Sequence, residues 1–231
     1  MITGSAKRLG REIALTLAKE GYSVIIHYNT SQKEAEETAA ECRRYSAAES
    51  LQGDLSSKEG VIDFGQRYLE KFPKTQALIN NVGNFFMKSL TSTSMEEWTE
   101  LFMTNLHAPF YLSKLLLPSI KLVKGSIINI GTSGLHSIKA FKETPAYSLT
   151  KLSLYGLTTS LAKEVAKDQV CVNMVSPGVL DIAVDLEEHP HLPMGRAGSP
   201  TEVAAMISFL LKKENRYITG QNIEVAGGFA L

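Results

Sequence analysis

At 231 residues, 44% of them hydrophobic, the chain can bury one large core and reads as a single domain over residues 1–231. Its 24 basic residues balance 24 acidic ones with no strongly basic stretch, which argues against a nucleic-acid or membrane-surface binder and leaves a small molecule as the expected partner. No apolar run reaches the length of a membrane span, MITGSAKRLG lacks the apolar stretch of a signal peptide, and Cys42 and Cys171 match no metal-ligand spacing, so a cytoplasmic protein with two buried, reduced thiols and no metal is expected.

Residues 1–3 read as a strand remnant running into Gly4-Ser5-Ala6-Lys7-Arg8-Leu9-Gly10, and a helix over 9–20 follows, with Ile13, Ala14, Leu17 and Ala18 on one face. The clearest strands are 23–28, 77–80, 126–130, 170–175 and 222–225, separated by helical-period segments at 32–45, 58–71, 95–116, 146–166 and 201–211. Such alternation implies an α/β fold with a parallel sheet and crossover helices. The longest irregular pieces, 132–145 and 176–200, follow strands and so fall at the carboxyl edge, where open α/β sheets bind ligands.

Glycine permits a tight turn and close backbone approach, and the helix start that follows favours a pyrophosphate, so residues 4–10 read as a strand–turn–helix dinucleotide site. NAD-binding versions of this unit place an acid roughly 20 residues on, where it bonds the ribose 2′-hydroxyl. Here that region reads His27-Tyr28-Asn29-Thr30-Ser31, with no carboxylate before Glu34. The missing acid, the cations Lys7 and Arg8, and the donors Asn29, Thr30 and Ser31 suit a 2′-phosphate, and the cofactor expected is NADP(H).

Within PAYSLTK, Tyr147 and Lys151 lie one turn apart on one helix face, and of the eight tyrosines only this one has a lysine at that offset. A nearby cation stabilises phenolate and makes the phenol a usable general acid near neutral pH, which suits carbonyl reduction.

With TGSAKRLG, Asp54, Asn80-Asn81-Val82-Gly83, Asn105, the Tyr147/Lys151 pair and Pro177-Gly178 in that order, nearly the whole chain resembles the short-chain dehydrogenase/reductase family. The resemblance implies a Rossmann-type doubly wound parallel sheet with helices on both faces. It implies that Asp54, with Leu55 beside it, bonds the adenine, that Asn81 to Gly83 pass the nicotinamide ribose, and that Pro177, Gly178 and Leu180 hold the carboxamide. Tyr147 matches the proton donor, Lys151 the residue that bonds the ribose and tunes that Tyr, and Asn105 the residue that orders a water relay behind the Lys. The family's catalytic Ser is matched by Thr132 counting from Asn129 and by Gly134 counting back from Tyr147, which a two-residue loop insertion would reconcile; Thr132 is preferred and adjacent Ser133 is the runner-up. Ile182 replaces a family Thr that bonds the carboxamide, and Ala226 stands where Asp is common.

Arg8 in place of the usual Gly, the HYNTS strand end, the Ala108-Pro109-Phe110 run and Phe85 look more like the pteridine reductases, where an aromatic at the position of Phe85 stacks on the pterin ring. Thr132 stands where those enzymes carry Asp, which keeps a 3-oxoacyl-type carbonyl as the first expectation and a dihydropterin as the alternative. A catalytically silent NADP(H)-binding regulator is the rival from another class; Asn105, Tyr147 and Lys151 argue against it.

Glu187-Glu188-His189-Pro190-His191 has metal-site residue types but reads as a solvated loop. Met95, Trp98, Phe102 and Asn105 repeat at helical spacing, so Trp98 is expected to serve helix packing and not a cofactor contact. A homodimer or homotetramer is expected by family analogy. Only three residues precede Gly4, fewer than the family's usual first strand, and the expectation is either a native start upstream of Met1 or a trimmed first strand of lower stability.

Overall fold

The computed structural model describes residues 1–135, 140–141, 144–183 and 191–229. Six strands, β1 Val24–Tyr28, β2 Ala48–Gln52, β3 Ala77–Asn80, β4 Ser126–Ile130, β5 Cys171–Pro177 and β6 Asn222–Val225, pair in parallel as β1 with β2 and as β3-β4-β5-β6. The strand remnant contributes a single bridging residue: Ile2 lies between Ile26 of β1 and Ile79 of β3, and joins the two ladders.

Adjacent residues in these strands point to opposite faces, and both faces are apolar. Ile26, Ile79 and Ile128 pack with Ile13, Leu17 and Ile207, from α1 (Arg8–Lys19) and α7 (Pro200–Leu211). Their neighbours Ile25, Leu78 and Ile127 pack with Phe64, Leu112 and Val172 on the other face, under α3 (Lys58–Lys71) and α5 (Ala108–Leu122). Two cores back to back make the expected doubly wound α/β fold. α2 (Gln32–Cys42) covers β1 and β2 beside α1, and α6 (Pro145–Val165) packs against β5. Ser94 and Ser199 open α4 (Met95–Phe102) and α7 with capping boxes to Glu97 and Glu202, satisfying amides that the first turn leaves unpaired.

Three expectations need correction. β2 was not among the strands expected, because AESLQ carries no β-branched residue and forms a half-exposed edge. The single helix over 95–116 is α4, a π-helical turn over Met103–His107, and α5 extending to Leu122. Trp98 does not pack inward: it is 36% exposed and stacks on Phe102 of its own helix with ring centres 4.5 Å apart. Cys42 and Cys171 are buried and unbridged, at the end of a helix and the start of a strand. Among the described residues no helix is long and apolar enough to cross a membrane. Of the Glu187–His191 segment only His191 lies within the described residues.

Candidate active site

The chain runs outward from Ile2 to β1 and β2, then returns to β3 on the other side, so the order reverses between Ile2 and β3, the place where such sheets open a ligand crevice. Side chains from both sides fasten this point. Thr3 Oγ1 accepts from the backbone N–H of Asn81 (2.8 Å) and Val82 (3.0 Å), while Asn81 Nδ2 donates to the carbonyls of Thr3 (2.9 Å) and Gly4 (3.1 Å). Gly4 has φ +60°, and a Cβ there would lie 2.8 Å from Val82 Cγ2; at Gly10 one would lie 2.3 Å from the Gly4 carbonyl oxygen. Glycine is therefore required at both positions. No side chain caps the first turn of α1, and no acid lies within it.

Arg8 takes φ +55°, the conformation that favours glycine, and Nη2 donates to the Ile182 carbonyl at 2.5 Å. Its guanidinium is thus bonded to the segment after β5. Asn29 Nδ2 donates to Asp54 Oδ1 at 3.4 Å, and the same oxygen accepts from Ser56 N at 2.9 Å. Leu55 is buried in the core with Phe64.

The opposite wall is α6. Lys151 is 4% exposed, its Nζ donates to the Ile130 carbonyl at 2.8 Å and stands 5.6 Å from the Tyr147 ring centre. Burial pushes its pKa down to about 8. Asn105, fully buried in the π turn, accepts from Asn84 N (2.8 Å) and donates to Asn84 O (2.9 Å) and Thr150 Oγ1 (3.1 Å). Thr150 Oγ1 in turn donates to the Tyr147 carbonyl (2.7 Å). A Cβ at Gly83 would lie 3.4 Å from both Asn105 Oδ1 and Lys151 Nζ, so the segment after β3 crosses directly over this pair. A π turn inserts one residue into the helical ladder and re-aims a side chain, which is how Asn105 reaches the 84 backbone and α6 together.

The turn, Asn81 to Gly83, Thr132, Ser133, Tyr147 and the 178–182 segment surround one cavity of about 820 Å³. Thr132 and Ser133 both line it. Their segment is pinned by Ser133 N to the Pro177 carbonyl (3.0 Å) and by Gly134 N to Glu224 Oε1 (2.8 Å). Phe85, 41% exposed, meets the Tyr147 ring edge to face with centres 5.0 Å apart and planes at 89°.

Most of the expected residues therefore converge: Gly4, Lys7, Arg8, Leu9, Gly10, Asn81, Val82, Gly83, Phe85, Thr132, Ser133, Tyr147, Gly178 and Leu180 line the cavity. Asn105 and Lys151 stand buried behind its wall, and Pro177 is the buried end of β5. Asn29, Thr30, Ser31, Asp54 and Leu55 lie outside that lining, at the carboxyl ends of β1 and β2. Sequence reasoning missed Asn84, Thr150, Glu224 and His27. The last carried a signal, a polar residue in the otherwise apolar run VIIHY.

The family model for enoyl-(acyl carrier protein) reductases matches residues 4–230. The chain is 30% identical to the 3-oxoacyl-[acyl-carrier-protein] reductase FabG of Staphylococcus epidermidis, across 99% of this chain and 97% of that one. Among solved structures it resembles acetoin dehydrogenase YohF from Salmonella typhimurium, with a TM-score of 0.90, 27% identity, and coverage of 99% of this chain and 94% of that one. The Pseudomonas aeruginosa RhlG/NADP active-site complex gives a TM-score of 0.90 at 27% identity, covering 100% of this chain and 95% of that one.

Proposed function

Because this chain belongs to the short-chain dehydrogenase/reductase family, we propose that it is an NADPH-dependent reductase of a small carbonyl compound of 3-oxoacyl type, with Tyr147 as proton donor. The observation that carries this reading is the buried Lys151 ammonium one helical turn from Tyr147, whose side chain lines the cavity that the glycine turn also lines.

The turn suits NADP(H). Its backbone at Gly4 and Gly10 leaves no space for side chains, an uncapped helix start follows, and two cations stand there. Gly4, Leu9 and Gly10 would hold the pyrophosphate, Lys7 and Arg8 the 2′-phosphate, Asn81 to Gly83 with Lys151 the nicotinamide ribose, Pro177, Gly178 and Leu180 the carboxamide, and Asp54 with Leu55 the adenine. Asn29, Thr30 and Ser31 would contribute to the 2′-phosphate. When bound, the reduced nicotinamide supplies the hydride that reaches the carbonyl carbon.

The chain's own residues do the rest. Thr132 or Ser133 donates a hydrogen bond to the carbonyl oxygen and orients it. Tyr147 gives its proton to that oxygen as negative charge builds there, and Lys151 stabilises the phenolate left behind. Asn105, bonded to the Asn84 backbone and the Thr150 hydroxyl, ties the segment after β3 to α6 beside Lys151 and supports proton return through ordered water.

A second reading, dihydropterin reduction, is favoured by Phe85, whose exposed ring at the cavity offers a stacking platform beside Tyr147. A silent NADP(H)-binding regulator has no physical need for the Tyr147–Lys151–Asn105 arrangement. Following NADPH oxidation across 3-oxoacyl thioesters, dihydropterins and quinones separates the three: thioester turnover supports the first, pterin turnover alone the second, and binding without any turnover the third. A homodimer or homotetramer belongs to the same proposal, since Met95, Trp98 and Phe110 leave apolar surface exposed on α4 and α5; light scattering tests it.

A further inference from the structure

We infer that His27 is a positioning residue for the adenosine half of the cofactor, one imidazole holding the glycine turn and the end of β2 at a fixed separation. The inference rests on the NADP(H) reading above. The ring is 2% exposed; Nδ1 accepts from Gly4 N at 2.9 Å, and Nε2 faces the Gly53 carbonyl at 3.0 Å. An amide N–H only donates and a carbonyl only accepts, so the two partners select one neutral tautomer, with the proton on Nε2. Phe64 of α3 fixes the ring plane, edge to face with centres 4.7 Å apart.

The main chain of the same residue adds to the bracket. His27 N donates to Ser5 Oγ at 3.1 Å, and His27 O accepts from Ser5 N at 3.0 Å. Gly53, on the other side, has no room for a Cβ, which would lie 2.4 Å from the Phe64 ring, and Asp54 follows it directly. His27 therefore touches Gly4 and Ser5 on one side and Gly53 on the other, and sets how far Asp54 stands from the turn. The hydrogen bonds and ring contact described for His27 are all with other segments than α6, which carries Tyr147 and Lys151. Its effect should accordingly appear in affinity for the adenosine half and leave the chemical step alone.

The test is calorimetric binding of NADPH and of adenosine 2′,5′-bisphosphate to the full chain and to His27→Phe, His27→Asn and His27→Gln. His27→Phe removes both ring hydrogen bonds and is expected to raise both dissociation constants about tenfold or more. The KM for NADPH should rise with them, while kcat at saturating NADPH changes by less than about twofold. His27→Asn keeps an acceptor for Gly4 and His27→Gln a donor for Gly53, so each should recover part of the loss. In ¹⁵N spectra of the unmutated protein His27 should show a protonated Nε2 and an unprotonated Nδ1. Unchanged affinities for both ligands in folded variants, the opposite tautomer, or a fall in kcat with binding intact would overturn the inference. Should His27→Phe fail to fold, the Asn and Gln variants and the tautomer decide. Failure of the unmutated chain to bind NADPH would instead remove the cofactor reading itself.

Discussion

Lys151 Nζ stands 5.6 Å from the Tyr147 ring centre while donating to the Ile130 carbonyl, which makes its charge state part of the site. Burial brings its pKa from 10.5 to about 8. Below that value Lys151 is cationic and favours the phenolate that forms as Tyr147 gives up its proton; above it the cation is lost. Reductive kcat/KM should therefore be level on the acid side and fall as pH rises through about 8. A profile that climbs across that range would contradict the assignment.

Tyr147→Phe should abolish turnover with cofactor binding nearly intact, since only a group acting in the transition state is removed. Lys151→Met should damage both. Thr132→Val is expected to reduce turnover more than Ser133→Ala, and single-turnover kinetics giving the reverse order would move the orienting hydroxyl to Ser133.

Removal of a charged contact to a phosphate costs on the order of 1.5–3 kcal/mol. Arg8→Ala should then weaken NADPH much more than NADH, as measured by calorimetry. Arg8→Gly should lose the same discrimination yet melt higher than Arg8→Ala, because a residue at φ +55° is relieved by glycine. Equal loss of NADPH and NADH affinity would mean that Arg8 does not meet the 2′-phosphate.

Phe85 separates the two substrate readings. For a flat heterocycle Phe85→Ala should forfeit roughly 0.5–1.5 kcal/mol of stacking plus its share of burial, seen mainly as a raised KM. Phe85→Leu would remain harmful in that case. For an acyl chain Phe85→Leu should be almost harmless, as one apolar wall replaces another.

Burial depresses the His27 pKa from 6.5 to about 4, against the smaller opposing effects of the Gly53 carbonyl and the Asp54 charge. The folded state therefore holds His27 neutral where the unfolded chain would bind a proton. Its stability contribution is complete above about 6.5 and is lost as pH falls toward 4, on the order of 3 kcal/mol over that window. Denaturant melts at stepped pH should show His27→Gln with a flatter acid limb; an unchanged slope would dissociate His27 from acid sensitivity.

Most of the fold could be read from the chain because apolar strand runs and amphipathic helices alternate, and because doubly apolar strands such as ALIN and SIINI require cover on both faces. β2 escaped because AESLQ lies at an edge, where burial does not demand β-branched residues. Two supports behind Tyr147 escaped for a different reason. The π turn is a one-residue register change that leaves no mark in periodicity, and the Asn84–Asn105–Thr150 bonds join three distant segments. Trp98 misled because helical spacing marks an apolar stripe without saying whether this chain covers it.

Among the described residues the two ladders share a single strand-pairing residue, Ile2. Ile2 N donates to the Ile25 carbonyl, its own carbonyl accepts from His27 N, and Ser5 N donates to the His27 carbonyl; on the other side Met1 N donates to Ala77 O, Ile79 N to Met1 O and Thr3 N to Ile79 O. A seam with one strand-paired residue directly beneath the crevice makes a ligand there a fastener as much as a reactant. The amides of Ile2, Thr3, His27 and Ile79 should exchange with deuterium sooner than those within the β3-β4-β5 ladder. Cofactor should slow them selectively, so that the sheet's resistance to opening rises with nucleotide concentration.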